Sequence, residues 1–169
     1  RAADEYNHEG DVRLNVLRNR FLTIGQAKVS TSAEEAFELG YLRRGIDEVV
    51  VSRAHQLAYA KEVAVAMADK GYIVPKPRKD IKVLGKEGLG IVYVGAHTML
   101  SGNYISEHDR KISEKLGYVL CGGDLSYPQE VSEQYLLGLE REAFLSLCGE
   151  RKTLERLESL IKTGKILRN

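Results

Sequence analysis

The sequence predicts a mainly α-helical fold with one or two short strands. Apolar residues recur at helical spacing over residues 86–101 and through most of the last third of the chain, as expected for helices that bury one side. Two predicted helices are preceded by a hydroxyl residue with Glu or Asp three positions later, which is the spacing of a capping box. The clearest strand candidate is the stretch 46–51, so little sheet is expected.

The composition is that of an ordinary folded domain. The 169 residues are 43% apolar and carry a net charge of +1, which excludes a disordered chain and gives no support to nonspecific nucleic-acid binding. No apolar stretch approaches the roughly 20 residues that span a membrane, and no basic-then-apolar leader opens the chain. Two cysteines do not make a disulfide framework, so we expect a cytoplasmic protein.

The start of the chain predicts that it belongs to something longer. It begins Arg1-Ala2-Ala3, and its methionines are Met67 and Met99. We therefore expect a piece of a larger protein, divided here into a loose segment over 1–18, a helix–strand–helix segment over 19–74, a proline-punctuated connector over 75–82 and a helical region over 83–169.

The elements before the connector follow from capping and propensity. Ser32 with Glu35, or Thr31 with Glu34, has the capping-box spacing, and Gly40 can end the helix that follows. The predicted elements are a helix over 11–22, a helix over 33–39, a strand over 46–51 and a helix over 53–70.

The helices after the connector have clearer boundaries. Ser106 with Asp109 opens one helix, and Pro128 suits the first turn of the next. Gly90 and Gly95 weaken the first helix, so we expect both to pack closely against another element. The predicted helices cover 86–101, 107–121, 128–148 and 152–162, and Gly164 ends the last one.

The histidines do not predict a metal site. They lie at positions 8, 55, 97 and 108, with no pair four residues apart and no Cys-x-x-Cys nearby. His108 lies between Glu107 and Asp109, but adjacent helical side chains point about 100° apart. An exposed first-turn residue is therefore favoured over a catalytic His108, and His97 is expected in the core or at an interface.

Other suggestive patterns also have structural explanations. The glycines of 85–90 and the triplet 163–165 match neither a dinucleotide fingerprint nor a phosphate-binding loop, so both are interpreted as helix boundaries. Cys121 and Cys148 follow apolar residues near helix ends and are expected to be buried and unreactive. The residues alone predict no catalytic group.

Several motifs together resemble a known family. They are the stretches 27–36 and 39–42, Gly102-Asn103-Tyr104-Ile105-Ser106-Glu107-His108-Asp109, Val119-Leu120-Cys121-Gly122-Gly123-Asp124, 133–137, 139–145, 152–156 and 162–165. From about Asn19 to Asn169 the chain is similar to the C-terminal end of long 3-hydroxyacyl-CoA dehydrogenases fused to an enoyl-CoA hydratase/isomerase (crotonase-like) domain.

This resemblance implies a role in fatty-acid β-oxidation. In such proteins a dinucleotide-binding domain oxidises 3-hydroxyacyl-CoA with NAD, and the crotonase-like domain hydrates or isomerises the enoyl-CoA. The oxyanion amides, the acid/base carboxylates and the NAD-binding glycines would all precede this chain. The catalytic and cofactor-binding residues are therefore unknown here, and no metal is expected.

The resemblance also implies a place in the fold and a kind of partner. The chain would be the C-terminal helical portion of a crotonase-like (ClpP/crotonase) α/β domain, and its apolar helix faces would favour a homo-oligomer. The basic residues Lys76, Arg78, Lys79 and Lys82 either face a CoA phosphate or form solvated surface. Two alternatives stay open: a helical assembly module without acyl-CoA chemistry, and a standalone enzyme using Glu107 and His108.

Overall fold

A computed structural model describes residues 2–5 and 12–169 of the chain. Helix accounts for 60% of it, and two short strands form the sheet of this part, so the expectation of a mainly helical chain is confirmed. The elements are α1 (Ala2–Glu5), α2 (Arg13–Gly25), α3 (Ala33–Glu38), α4 (Gln56–Asp69), β1 (Ile81–Val83), α5 (Gly85–Ser101), α6 (Glu107–Leu120), β2 (Gln129–Val131), α7 (Glu133–Cys148) and α8 (Arg151–Thr163).

The chain divides into two compact units. The larger unit comprises Arg1–Ala27 with Pro77–Asn169, and the smaller comprises Lys28–Lys76. Within the segment expected to be loose, 1–18, the structure describes α1 and the first part of α2. Residues 1 and 6–11 of that segment lie outside the described residues.

The larger unit is built on the packing of α2, α5 and α6. Leu17 of α2, Leu89 of α5, Leu84 and Cys121 form its buried cluster. The helices expected over 86–101 and after Ser106 are confirmed as α5 and α6. Ser106 Oγ accepts the Asp109 amide at 3.1 Å and the Asp109 carboxylate accepts the Ser106 amide at 3.0 Å, so the capping box is complete.

The sheet corrects the predicted start of the helix at Pro128. β1 pairs antiparallel with β2, with Ile81 opposite Val131 and Val83 opposite Gln129. Pro128 therefore does not begin a helix, because the three residues after it are paired in the sheet. The helix begins after Ser132, whose Oγ accepts the Tyr135 amide at 3.1 Å.

The close approaches of the helices involve different glycines from those expected. A Cβ added at Gly90 or Gly95 would meet nothing within 4 Å, so the expected tight packing there is wrong. A Cβ at Gly117 would overlap the side chain of Val92, and one at Gly88 would lie 2.8 Å from Cys121 Sγ and from Leu17 Cδ2. Gly88 and Gly117 are thus the positions where the helix backbones need the space.

The smaller unit contains α3 and α4. Ser32 Oγ accepts the Glu35 amide at 3.1 Å, which selects Ser32 as the N-cap of α3, and the Glu35 carboxylate accepts the Thr31 amide at 2.6 Å. The strand expected over 46–51 is wrong: the stretch consists of turn, bend and irregular chain, and Val51 is 98% exposed. β-Branched residues form a strand only with a partner, and the described residues provide none here.

Candidate functional site

An apolar groove runs between α2, α5 and α6 in the larger unit. It encloses about 340 Å³ and is bordered by Arg18, Thr98 and Ser113. Its apolar lining comes from Leu17, Phe21, Leu22, Ile91, Val92 and Met99. This size and lining suit an apolar group, but the groove brings together no acid, base and nucleophile.

The polar residues at the edge of the groove add one hydroxyl that is already bonded and one exposed cation. Thr98 Oγ1 donates to the Val94 carbonyl within α5 at 2.8 Å, so its hydroxyl proton is already used in a hydrogen bond. Arg18 is exposed on α2. The groove can therefore hold an apolar side chain or ligand, with one cation at its edge.

His108 occupies a second candidate position, at the start of α6. It is only 4% exposed, and its Nε2 lies 2.9 Å from Thr153 Oγ1 of α8. The expectation of an exposed first-turn residue is therefore wrong, because α8 covers this turn. Burial lowers the pKa of His108, and the positive charge of Arg156 lowers it further.

The neighbours of His108 have separate partners. Glu107 forms an ion pair with Arg110, and Asp109 forms an ion pair with Arg156 at 2.7 Å. The three consecutive side chains thus contact three different groups and do not converge on one substrate position. His97 is exposed on α5, so the core alternative is wrong, and its place at an interface stays a prediction.

The first turn of α5 does not form a nucleotide site. The Gly85 amide donates to the Cys121 carbonyl at 2.9 Å, and the Lys86 amide donates to the Leu125 carbonyl at 2.8 Å. A Cβ at Gly85, where φ is 55°, would lie 2.5 Å from the Leu125 carbonyl oxygen. An NAD pyrophosphate needs such amides to be available, so these residues do not fit it.

The cysteines differ in accessibility. Cys121 is completely buried, and burial raises the pKa of its thiol to about 12. Its thiolate population at neutral pH is accordingly negligible, which removes it as a nucleophile. Cys148 is half-buried at the end of α7.

Among the basic residues near the connector, Arg78 is paired with carboxylates. Arg78 forms ion pairs with Asp4 at 2.8 Å and with Asp80 at 2.9 Å. These carboxylates raise the pKa of Arg78 and neutralise its charge locally. Lys76 belongs to the smaller unit, whereas Lys79 and Lys82 belong to the larger one.

Residues 2–5 and 12–169 contain neither a metal-binding cluster nor a membrane-spanning helix. No group of three or more His, Cys, Asp or Glu side chains there could hold a metal ion. Over the same residues, every helix is too short or too polar to cross a bilayer.

Sequence reasoning did not identify a polar site with several hydrogen bonds. It is formed by the N-cap and first turn of α6, by α8 and by Asn169, whose backbone carbonyl contacts Ser106 and whose side chain contacts α8. The capping-box spacing indicated Ser106 and Asp109 as a pair, but nothing in the sequence indicated that Asn169 returns to them.

Comparison with known proteins gives one informative match. The chain is 44% identical over 165 residues, or 96% of its length, to a protein of Bacillus subtilis (strain 168) described as a probable 3-hydroxyacyl-CoA dehydrogenase. It spans 21% of that relative's length. No protein-family model matches the chain, and no solved structure matches it.

Proposed function

We propose that this chain is the C-terminal part of a long 3-hydroxyacyl-CoA dehydrogenase of fatty-acid β-oxidation, and that it supplies packing surface rather than catalytic groups. The observation that carries the proposal is the alignment of almost the whole chain with one fifth of a protein described as such a dehydrogenase. NAD and the acyl-CoA substrate are then bound by the remaining part, in the cytoplasm.

The surface of α4 supports the proposal that this chain supplies packing surface. Its sequence, QLAYAKEVAVAMAD, is mostly apolar apart from Lys61, Glu62 and Asp69, yet none of its residues is buried. Leu57 is 83% exposed, and Val65 and Met67 are also exposed. Large exposed apolar surfaces mark contacts with a partner, so we propose that the apolar side of α4 is covered by the rest of the long protein.

The finer assignment rests on the motifs of the sequence. The stretch 27–42 resembles the short helix of crotonase-like domains, and α3 lies within it with its cap at Ser32. We propose that Asn19–Val74 belongs to a crotonase-like domain that hydrates or isomerises enoyl-CoA, and that the exposed apolar faces also join copies into a homo-oligomer.

The isolated chain tests the absence of catalytic groups. We expect it to form no NADH from 3-hydroxyacyl-CoA and NAD and not to hydrate enoyl-CoA, while the long protein does the former. Turnover by the pure 169-residue chain would contradict the proposal and favour a standalone enzyme.

The covering role of α4 is tested in the long protein by Leu57→Asp. A charge at this position would be placed in an apolar contact, so we expect loss of soluble long protein or of its activity. Lys70→Asp is the matched control, because Lys70 is exposed and already charged, and it should have no effect. The isolated chain should tolerate both changes equally.

Oligomer measurements separate the alternative of a pure assembly module. Deleting this chain from the long protein should abolish both solubility and turnover if the chain covers the catalytic part. If the chain serves assembly alone, the deletion would lower the molar mass seen by light scattering and leave NADH formation unchanged.

A further inference from the structure

Residues 165–169, which follow α8 and are called the tail, return to the start of α6, where Asn169 lies in a polar notch. We define the notch by Ser106, the N-cap of α6, by Asp109 of α6 and by Lys152, Glu155 and Arg156 of α8. We infer that this notch is a binding site for an asparagine side chain, and that the chain's own tail, residues 165–169, occupies it through Asn169. The inference stands on this chain alone and does not depend on the proposed function.

Both ends of the Asn169 carboxamide have complementary partners. Its Oδ1 accepts from Arg156 Nε at 2.8 Å. Its Nδ2 donates to Glu155 Oε2 at 2.8 Å and to the Lys152 carbonyl at 3.3 Å. A donor faces the oxygen and two acceptors face the nitrogen, so the notch distinguishes a carboxamide from a carboxylate.

The backbone of Asn169 is held as well. Its carbonyl oxygen lies 3.0 Å from Ser106 Oγ and 3.2 Å from Arg156 Nη2. The tail thus joins the first turn of α6 to α8, two elements that are distant in sequence. Side-chain and backbone contacts together specify both the residue and its orientation.

Arg156 is the central donor of the notch. Its Nη1 donates to Asp109 Oδ1 at 2.7 Å, while its Nε and Nη2 contact Asn169. The side chains of Arg156 and Asp109 are only 17% and 28% exposed. A guanidinium can serve three acceptors in fixed directions, which a lysine ammonium cannot do.

A turn leads the tail toward the notch. Gly164 has φ 68°, the left-handed conformation that ends α8. Ser159 Oγ donates to the Lys165 carbonyl at 3.1 Å. Ile166 remains 73% exposed, whereas Leu167 is 37% exposed, so the polar contacts of Asn169 act together with the partial burial of Leu167.

Trypsin cleavage after Lys165 tests the docking in the full chain. A docked tail must open before a protease can bind it, so the cleavage rate follows the open population. We expect Asn169→Ala to raise this rate roughly tenfold, since it removes several hydrogen bonds. Arg168→Ala is the matched control, because Arg168 is exposed in the same tail, and it should leave the rate unchanged.

The pKa of Glu155 provides a readout that general loosening would not mimic. The hydrogen bond from Asn169 lowers the pKa of Glu155, and Arg151 lowers it further. In NMR titrations Asn169→Ala should raise this pKa toward its usual value. Asn169→Asp should raise it more, because a carboxylate would then face Glu155.

A peptide added in trans completes the test. The pentapeptide Lys-Ile-Leu-Arg-Asn should bind the full-length Asn169→Ala chain and lower the pKa of Glu155 again, whereas Lys-Ile-Leu-Arg-Ala should not. The inference is overturned if Asn169→Ala and Arg168→Ala are cleaved equally fast. It is also overturned if the pKa of Glu155 is the same with and without Asn169, while circular dichroism shows unchanged helix content.

Discussion

Replacing Gly117 by alanine tests the packing of α5 on α6. The added Cβ would overlap Val92, whose Cβ and Cγ2 both lie 3.0 Å from it. Overpacking of a well-filled contact costs about 1–3 kcal/mol, while alanine in place of glycine contributes up to about 1 kcal/mol to a helix. We therefore expect a net loss of about 0–3 kcal/mol.

Gly90→Ala is the matched control for this change. It has the same propensity gain, but its Cβ would meet nothing within 4 Å. It should therefore stabilise the protein by about 0.5–1 kcal/mol. Since the gain is common to both variants, their difference of about 1–3 kcal/mol isolates the steric contact with Val92.

Urea unfolding followed by circular dichroism measures both variants. Val92→Ala should partly relieve the cost of Gly117→Ala, which appears as a coupling energy in a double-mutant cycle. Equal stability of the Gly117→Ala and Gly90→Ala proteins, with no coupling to Val92, would refute the close approach of α5 and α6.

Three further outcomes are expected. Iodoacetamide at neutral pH should modify Cys148 and spare Cys121 in the folded chain, because burial raises the pKa of Cys121; equal labelling would contradict its burial. Ser132→Ala should cost about 1 kcal/mol in urea unfolding through loss of the N-cap of α7. The pKa of His108 is lowered in the folded chain, so the unfolded chain takes up the proton first as the pH falls. The contribution of His108 to the free energy of unfolding is therefore fully present above about pH 6.5 and decreases as the pH drops toward the folded pKa. His108→Gln should flatten stability curves below pH 6.5.

The helices of the larger unit were predictable because their signals are local. The apolar spacing in 86–101 predicted a helix, and α5 confirms it. The capping box at Ser106 depends on two residues three positions apart, so the sequence alone indicates it. Gly164 likewise ends α8 in the left-handed conformation.

The errors all concern contacts between distant residues. Gln129–Val131 became a strand because Ile81–Val83 lies beside it, and 46–51 did not become one for lack of a partner. Propensity describes single residues, whereas a strand is a property of a pair. The notch could not be predicted for the same reason, since Asn169 contacts Ser106 although the two residues are 63 positions apart.

Local sequence patterns specify where the helices of the larger unit lie, how several of them are capped and which family of long enzymes the chain resembles. These properties depend on neighbours within about four positions or on direct comparison of residues. Three features emerge only from the folded chain: His108 is buried, Gly117 rather than Gly90 faces a neighbouring helix, and Asn169 fills a notch between α6 and α8. Burial and complementarity arise where distant segments meet, and that meeting is not encoded in any short stretch of the chain.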